Sequence, residues 1–331
     1  MYRGKKTGKE KEFSQLSIGS MRTTPFSDLR RVAERLSFRA RVLRTVRAFF
    51  DSHGYLEVET PVGILAPAAE EYIDCPSAGD FFLRGSPELQ MKRLLCAGME
   101  RIYQIGPCFR AGEDGRLHRH EFTMLEWYHA SSDYLGLLDF TRELLRATAH
   151  ACNGHGVVEY RGKRTDLDAE WAVISVRDAF RRFADCDADI LAEEGEEGSF
   201  ELVLTEKVEP ALPSDRPCVL LDYPMRFGAF ARAKAGDPSL AERWEIYIGG
   251  VELANAYGEL TDPVVQRERF ERFSQTRKRQ GLPDYPQPEA FLDALDHGMP
   301  ESAGCALGFD RLVMLLSGAE KISEVAFPLD S

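Results

Sequence analysis

The chain has 331 residues, of which 44% are hydrophobic and 29% are charged, and its formal net charge is −12. These values are ordinary for a globular enzyme, and no run of apolar residues approaches the roughly 18 needed to span a membrane. The negative charge argues against a large nucleic-acid footprint, because basic residues that neutralise phosphates supply most of that affinity. Seven scattered cysteines without a CxxC pair, and an N-terminus without an apolar signal core, predict a cytoplasmic protein with reduced thiols.

The first 35 residues are polar and initially basic, which predicts a partly disordered tail. Ser37 is expected to cap the next helix and Gly54 to end it. That helix carries an apolar stripe of Phe38, Val42, Val46, Phe49 and Phe50. Residues 55–60 alternate as a strand that Pro61 ends.

The middle of the chain predicts two strands, 102–110 and 121–128, joined by the polar loop 111–120. A short strand (81–84) and a helix (87–98) precede them, and an amphipathic helix (134–150) follows. Residues 185–199 are acidic and contain glycine, which predicts a solvated surface loop.

The last third predicts a strand at 218–223 and then a hairpin, 244–248 with 251–256, around the type I′ turn signal Gly249-Gly250. A charged helix (264–281) follows, and a last helix begins near Leu312. Strands meet mainly through hairpins and helices come in separate blocks. This order predicts an α+β fold, an antiparallel sheet flanked by helices.

Three segments carry side chains suited to chemistry. In the strand 121–128, alternation puts Phe122, Met124, Glu126 and Tyr128 on one face. A carboxylate on an apolar face is costly unless it meets a cation, which favours a binding site. A strand end that emerges into solvent is the equally weighted alternative.

The hairpin carries Glu245 and Glu252, and its turn is expected to pair Tyr247 with Glu252 and Glu245 with Ala254. The two carboxylates would then be diagonal neighbours, roughly 7 Å apart, on one face. Such a pair can hold Mg²⁺ together with triphosphate oxygens. The alternative, a solvated polar face, is disfavoured because the other face is apolar: Trp244, Ile246, Val251 and Leu253.

The third segment, Gly304-Cys-Ala-Leu-Gly308-Phe-Asp-Arg311, has glycines that let a ligand approach the backbone, and an arginine where a helix begins. Taken alone, it would be a glycine-containing turn before a core helix. The sequence has no zinc-ligand spacing, no Gly-x-Ser-x-Gly and no Walker loop.

In this order the segments resemble the three signature motifs of class II aminoacyl-tRNA synthetases. YLEVETP (55–61) resembles motif 1, the dimerisation element; FRAGEDGRLHRHEFTMLEWY (109–128) resembles motif 2; and GCALGFDR (304–311) resembles motif 3. With SPELQMKRLL (86–95) and VELANAYGELTDP (251–263), the match is to the lysyl-tRNA synthetase branch over nearly all of 36–328. The chain is most similar to the truncated paralogue family that joins (R)-β-lysine to a lysine of translation elongation factor P.

The resemblance implies one catalytic domain, residues 36–331, without an anticodon-binding domain. It implies that Arg110 holds the substrate carboxylate and the α-phosphate of ATP, and that Arg311 holds the γ-phosphate. Glu245 and Glu252 would bind Mg²⁺, and Glu252 also ATP. Further ATP contacts would come from Glu113, His118, Leu253 and Gly308. The implied amino-acid pocket consists of Ser86, Pro87, Glu88, Glu126, Tyr128, Glu259 and Ala306.

The chain departs from the family pattern in two places. The usual Arg-Asn-Glu of motif 2 is Arg110-Ala111-Gly112, so Glu113 is the nearest acid that could reach the adenine. The usual Asn-Pro is Arg119-His120. Ala306 stands where lysyl-tRNA synthetases usually have glycine, and its methyl group would favour a β-amino acid.

The implied function is ATP-dependent activation of (R)-β-lysine or lysine, followed by transfer to elongation factor P. It implies a homodimer formed through motif 1 and no need for tRNA or a membrane. Two alternatives remain open: an adenylate-forming ligase with another acceptor, such as a carrier protein or a small amine, and a non-catalytic amino-acid-binding paralogue.

Overall fold

A large sheet organises the computed structural model, which describes residues 26–68, 73–195 and 198–327. The predicted disordered tail lies, up to residue 25, outside these residues. The helices are α1 (Phe26–Ser52), α2 (Glu88–Cys96), α3 (Tyr134–Asn153), α4 (Val176–Ala184), α5 (Ala188–Glu194), α6 (Ser199–Val203), α7 (Glu209–Ala211), α8 (Pro263–Arg279), α9 (Glu289–Asp296) and α10 (Phe309–Leu316). The strands are β1 (Leu56–Glu57), β2 (Gly63–Ile64), β3 (Ser77–Ala78), β4 (Phe81–Leu83), β5 (Arg101–Phe109), β6 (Glu121–Ala130), β7 (Val157–Tyr160), β8 (Lys163–Asp166), β9 (Ala172–Ser175), β10 (Cys218–Pro224), β11 (Ala233–Lys234), β12 (Asp237–Ile248), β13 (Val251–Gly258) and β14 (Ser302–Gly308).

The main sheet has nine strands in the described residues, in the order β1-β5-β6-β14-β13-β12-β10-β9, with β11 paired to β12. All neighbouring pairs are antiparallel except β1 with β5 and β10 with β9. The predicted α+β fold with a mainly antiparallel sheet is therefore confirmed.

The two faces of the sheet are covered differently. Inward-facing residues of β6, β12, β13 and β14 pack with α1, α3 and α10 in the largest apolar cluster, which contains Trp127, Trp244 and Leu253. On the other face, α2, α8 and α9 enclose a second cluster that includes Tyr128 and Phe230. This second face is the one that carries the candidate site.

Helix α1 begins at Phe26, so the prediction that Ser37 caps it is wrong. The Ser37 hydroxyl instead donates to the carbonyl of Ala33, one turn back, as serine does inside a helix. The first turns are anchored by Arg35, which donates to Ser317 and pairs with Glu324. The predicted end is confirmed, because Gly54 follows the helix with φ 74°, a left-handed conformation that glycine adopts readily.

The acidic segment 185–199 is not wholly the predicted loop, because seven of its residues form α5. The Asp187 carboxylate accepts hydrogen bonds from the backbone N–H groups of Asp189 and Ile190 and so caps this helix. Ala188 and Phe200 are buried in the third apolar cluster. The strand predicted at 55–60 is also shorter than expected, since only Leu56 and Glu57 pair with β5.

The predicted hairpin turn is confirmed, because Gly249 and Gly250 both have positive φ, 62° and 82°. Ile248 pairs with Val251 and Tyr247 with Glu252, as expected. The register then shifts by one residue. Glu245 therefore lies opposite Asn255 rather than the predicted Ala254, and Leu253 is the extra residue of a β-bulge.

None of the seven cysteines forms a disulfide within the described ranges, in agreement with the prediction of reduced thiols. Among the helices described, none has the length and apolar character required to cross a membrane.

Candidate active site

A cleft of about 340 Å³ lies on the sheet face that α2 partly covers. It brings together every predicted site residue except Pro87, which precedes α2 and does not line the cleft: Ser86, Glu88, Arg110, Glu113, His118, Glu126, Tyr128, Glu245, Glu252, Leu253, Glu259, Ala306, Gly308 and Arg311. Residues from six separate parts of the chain thus meet in one place.

The floor of the cleft consists of two cross-strand rows on β6, β14, β13 and β12. One row contains Glu126, Ala306, Asn255 and Glu245; the next contains Tyr128, Gly304, Tyr257 and Arg243. Gly304 is required here, because an added Cβ would lie 2.3 Å from the Tyr128 ring and 2.4 Å from a Glu259 oxygen. Asn255, Tyr257 and Arg243 were not predicted from the sequence as residues of the cleft.

Glu126 is a buried carboxyl on this floor, with 2% of its surface exposed. Its Oε1 accepts a hydrogen bond from the Tyr128 hydroxyl at 2.7 Å, whereas Oε2 has no hydrogen-bond partner among the described residues. Burial, together with the charge of Glu88, raises the pKa of Glu126 to about 8. The alternative of a strand end in solvent is therefore excluded, and the free oxygen points to a ligand group.

Lys92 is the cation that the sequence analysis missed at this end of the cleft. It is fully buried, and its Nζ lies 2.5 Å from Glu88 Oε1 and 2.5 Å from Glu259 Oε2. Burial alone would lower the pKa of Lys92, but the charges of Glu259 and Glu88 raise it above its ordinary value. The sequence does indicate the contact with Glu88, because Lys92 follows Glu88 by four residues on a predicted helix, and side chains at that spacing meet.

Arg311 lies in the first turn of α10, as predicted, at the other end of the cleft. Its guanidinium donates to the carbonyls of Glu252 (2.7 Å) and Leu117 (3.2 Å) and lies 2.8 Å from His118 Nε2. Burial and the charge of Arg311 lower the pKa of His118, so the ring is neutral and Nε2 accepts from the arginine.

Arg110 follows β5 and shares this end of the cleft with Arg311. Its guanidinium stands 5.3 Å from the centre of the Phe122 ring and 3.5 Å from Glu113 Oε1. The Arg110 Nε is buried and makes no hydrogen bond within the described residues. A buried, unsatisfied donor on a cation is a position where an anionic ligand binds favourably.

The start of α10 is held by a ring of contacts that the sequence analysis did not find. Asp310 pairs with Arg39 of α1 and accepts from the backbone N–H of Thr123 at 2.8 Å. Arg39 also donates to the Thr123 hydroxyl at 2.7 Å. These contacts join α1, β6 and α10 next to Arg311 and so fix the direction of its side chain.

The two hairpin acids both reach the cleft but differ in their surroundings. Glu245 Oε1 accepts from Arg243 at 2.5 Å, and its Oε2 accepts from the hydroxyls of Tyr223 and Tyr247, each at 2.6 Å. Glu252 Oε2 lies 3.3 Å from Arg311 Nη1. The Glu252 side chain is 41% exposed to the open cleft, and its enclosure by the cleft walls, then the neighbouring charge of Glu245, raises its pKa. In the described part of the chain, no group of three or more His, Cys, Asp or Glu is arranged to hold a metal ion.

The cleft therefore has two chemically opposite ends. One end presents the guanidinium groups of Arg110 and Arg311, which suit a carboxylate and phosphates. The other presents the buried carboxyls Glu88, Glu126 and Glu259 around Lys92, which suit an ammonium group.

The chain is similar in sequence to known synthetases and ligases. Residues 22–331 match the family model of class II tRNA synthetases (D, K and N). The elongation factor P–(R)-β-lysine ligases of Yersinia enterocolitica and Proteus mirabilis are each 38% identical to the chain, over 88% of it and 94% of the relative. The lysine–tRNA ligase of Moorella thermoacetica is 36% identical over 87% of the chain, but this match spans only 63% of that relative.

Proposed function

We propose, from the premise that this chain belongs to the class II tRNA synthetases of the D, K and N type, that it is an ATP-dependent ligase for (R)-β-lysine or lysine. It forms an aminoacyl-adenylate and transfers the aminoacyl group to a lysine side chain of translation elongation factor P. The observation that carries the proposal is the pairing, in one cleft, of a two-arginine end with a buried three-carboxyl end.

In the first step, a carboxylate oxygen of the amino acid attacks the α-phosphorus of ATP and pyrophosphate leaves. Arg110 holds the carboxylate and the α-phosphate, and its unsatisfied Nε is available for this contact. Arg311 holds the γ-phosphate. Both act by positioning and by stabilising developing negative charge, since no protein nucleophile is required.

In the second step, the neutral amine of the acceptor lysine attacks the carbonyl carbon of the adenylate. An amide bond forms, AMP leaves with the electron pair of the broken carbon–oxygen bond, and the amine loses a proton. On the nucleotide side, Glu113 is proposed to meet the adenine edge, because it lines the cleft beside Arg110. His118 and Gly308 line the same end.

The residues of the hairpin fit Mg²⁺. Glu252 faces the cleft, and Glu245 Oε1 accepts only one hydrogen bond, from Arg243, so a carboxylate lone pair remains for a metal. Glu245 and Glu252 would hold the ion with phosphate oxygens and water, the ligands that Mg²⁺ prefers. When bound, Mg²⁺ would neutralise charge on the triphosphate.

The acceptor is proposed from the relatives. The elongation factor P–(R)-β-lysine ligases of Yersinia enterocolitica and Proteus mirabilis are each 38% identical to the chain over 88% of it, which supports elongation factor P as the acceptor. We further propose that residues 36–331 form the catalytic domain and that the motif 1 segment around β1 supports a homodimer.

The test is ATP–pyrophosphate exchange with (R)-β-lysine and with lysine, each with and without tRNA. We expect exchange without tRNA, followed by a mass increase of one lysyl residue on purified elongation factor P. Arg311→Ala should abolish exchange. Arg216→Ala, which removes an exposed arginine paired with Asp215 outside the cleft, should not. Strict dependence on tRNA, or no exchange with either isomer, would overturn the proposal. Exchange without transfer to elongation factor P would support the activation step but mean that the acceptor is a different molecule.

A further inference from the structure

Lys92 is a fully buried charge beside the carboxyl end of the cleft, and lysine is almost never fully buried unless it is paired. Helix α2 places Lys92 one turn after Glu88, so the two side chains lie on the same face. Glu259 approaches from the opposite side, directly after β13. The Lys92 ammonium therefore bridges α2 and the end of β13, and its remaining surroundings include the ring of Phe230 at 4.9 Å.

The geometry fixes the spacing of the two carboxyls. Glu88 Oε1 and Glu259 Oε2 each lie 2.5 Å from the same nitrogen, so they are at most 2.5 + 2.5 = 5.0 Å apart. Two buried carboxylates that close repel each other unless a cation lies between them, and Lys92 supplies that cation. The other titratable or charged groups near this pair are Glu126 and Tyr128 of β6 and Arg232, before β11.

Glu126 Oε2 is an acceptor that this cluster leaves open, because it is buried and has no hydrogen-bond partner among the described residues. Lys92 donates a hydrogen bond to one oxygen of Glu88, and it meets one oxygen of Glu259 as an ion pair without hydrogen-bond geometry. An incoming ammonium group would therefore enter a site in which Lys92 already holds two carboxyl groups at a fixed spacing.

We propose that Lys92 is a positioning residue that holds Glu88 and Glu259 at a fixed spacing on either side of one ammonium group and so determines the preference of the cleft for a substrate with a side-chain ammonium group. This inference deepens the proposed function and rests on it. Lys92 acts through the two carboxylates and does not itself contact the reacting atoms.

The test compares the wild type, Lys92→Met and the surface control Lys278→Met, which removes an exposed ion pair with Asp284. Calorimetry without ATP measures binding of lysine, of (R)-β-lysine and of norleucine, which lacks the side-chain ammonium group. Lys92→Met should reduce the preference for lysine over norleucine by about tenfold or more, with norleucine affinity nearly unchanged.

If Lys92→Met prefers lysine over norleucine as strongly as the wild type does, the inference is overturned. The proposed function would then remain intact. A wild type that binds neither lysine isomer would overturn the proposed function and, with it, the selectivity assigned to Lys92. The Lys278→Met control should match the wild type in both respects.

A second variant keeps the inference testable if Lys92→Met folds poorly. Lys92→Met/Glu88→Gln removes one of the two carboxylates that face each other without a cation in Lys92→Met, so it should be more stable than Lys92→Met. A double variant no more stable than the single one at any pH would also overturn the inference, because the cost would then come from lost packing rather than from charge.

Discussion

Replacing Glu126 by Gln should stabilise the ligand-free protein in a pH-dependent way. The Glu126 side chain is buried, and its pKa is raised from 4.5 to about 8 by burial and by the charge of Glu88. Gln keeps the oxygen that accepts from the Tyr128 hydroxyl and has no charge to lose. At pH 5 and below, the wild type carries a neutral carboxylic acid at this position, so the two proteins should have similar stability.

The size of the effect follows from the proton count. Between pH 4.5 and 8 the folded wild type holds a proton that the unfolded chain releases, so its free energy of unfolding falls by about 1.4 kcal/mol per pH unit. Over the 8 − 4.5 = 3.5 units between the two pKa values, the loss is about 5 kcal/mol. The variant lacks this loss. Its free energy of unfolding should therefore exceed that of the wild type by an amount that increases with the same slope and levels off above pH 8. The contribution of Glu259, whose pKa burial raises to about 7, is common to both proteins.

The assay is urea unfolding from pH 5 to 9 at constant ionic strength, followed by the fluorescence of the buried Trp127 and Trp244. Glu143→Gln, on an exposed position of α3, is the matched control, and its stability difference from the wild type should stay constant. A constant difference for Glu126→Gln between pH 5 and 8 would refute the reasoning, because the carboxyl would then be ionised in the folded protein throughout this range.

Three further outcomes are expected from variants of the cleft. Glu252→Gln should weaken Mg²⁺-dependent pyrophosphate exchange by about 3 kcal/mol in transition-state stabilisation without loss of folding; unchanged turnover at limiting Mg²⁺ would remove Glu252 from the metal site. Glu113→Ala should raise KM for ATP more than KM for the amino acid, and equal effects would mean that backbone groups bind the adenine. Ala306→Gly should increase the ratio of kcat/KM for lysine to kcat/KM for (R)-β-lysine by about 10- to 200-fold, because the Ala306 methyl lies between Glu126 and Asn255 on the cleft floor. If this ratio does not change, Ala306 is only a packing residue.

The sequence predicted the cleft well where local alternation decides which face a side chain takes. On β6, Glu126 and Tyr128 share the cleft face because no bulge interrupts the strand. Arg311 could be placed at a helix start because Gly308 and an apolar run define that helix locally. Both arginines were identified through the resemblance, and the structure brings both to the same end of the cleft.

Features that depend on distant contacts could not be predicted in this way. Lys92 sits in an amphipathic helix like any surface lysine, and its burial follows from Glu259, far along the chain. Helix α5 is acidic enough to suggest a loop, but the Asp187 cap and the packing around Ala188 and Phe200 stabilise it. The start of α1 depends on Arg35 meeting Ser317 and Glu324 near the C-terminus.

The bulge at Leu253 explains how one strand serves both ends of the cleft. Glu252 and Glu259 are seven residues apart, an odd separation, so in a regular strand they would point to opposite faces. Leu253 and Ala254 both face the apolar core, and this extra inward residue reverses the alternation that follows. Glu252 can therefore lie beside Arg311 while Glu259 reaches Lys92 from the same face of the sheet. Without the extra residue, one of these two acids would be buried in the apolar core, and the cleft would lose either its Glu252–Arg311 pair at the arginine end or one of the carboxylates around Lys92.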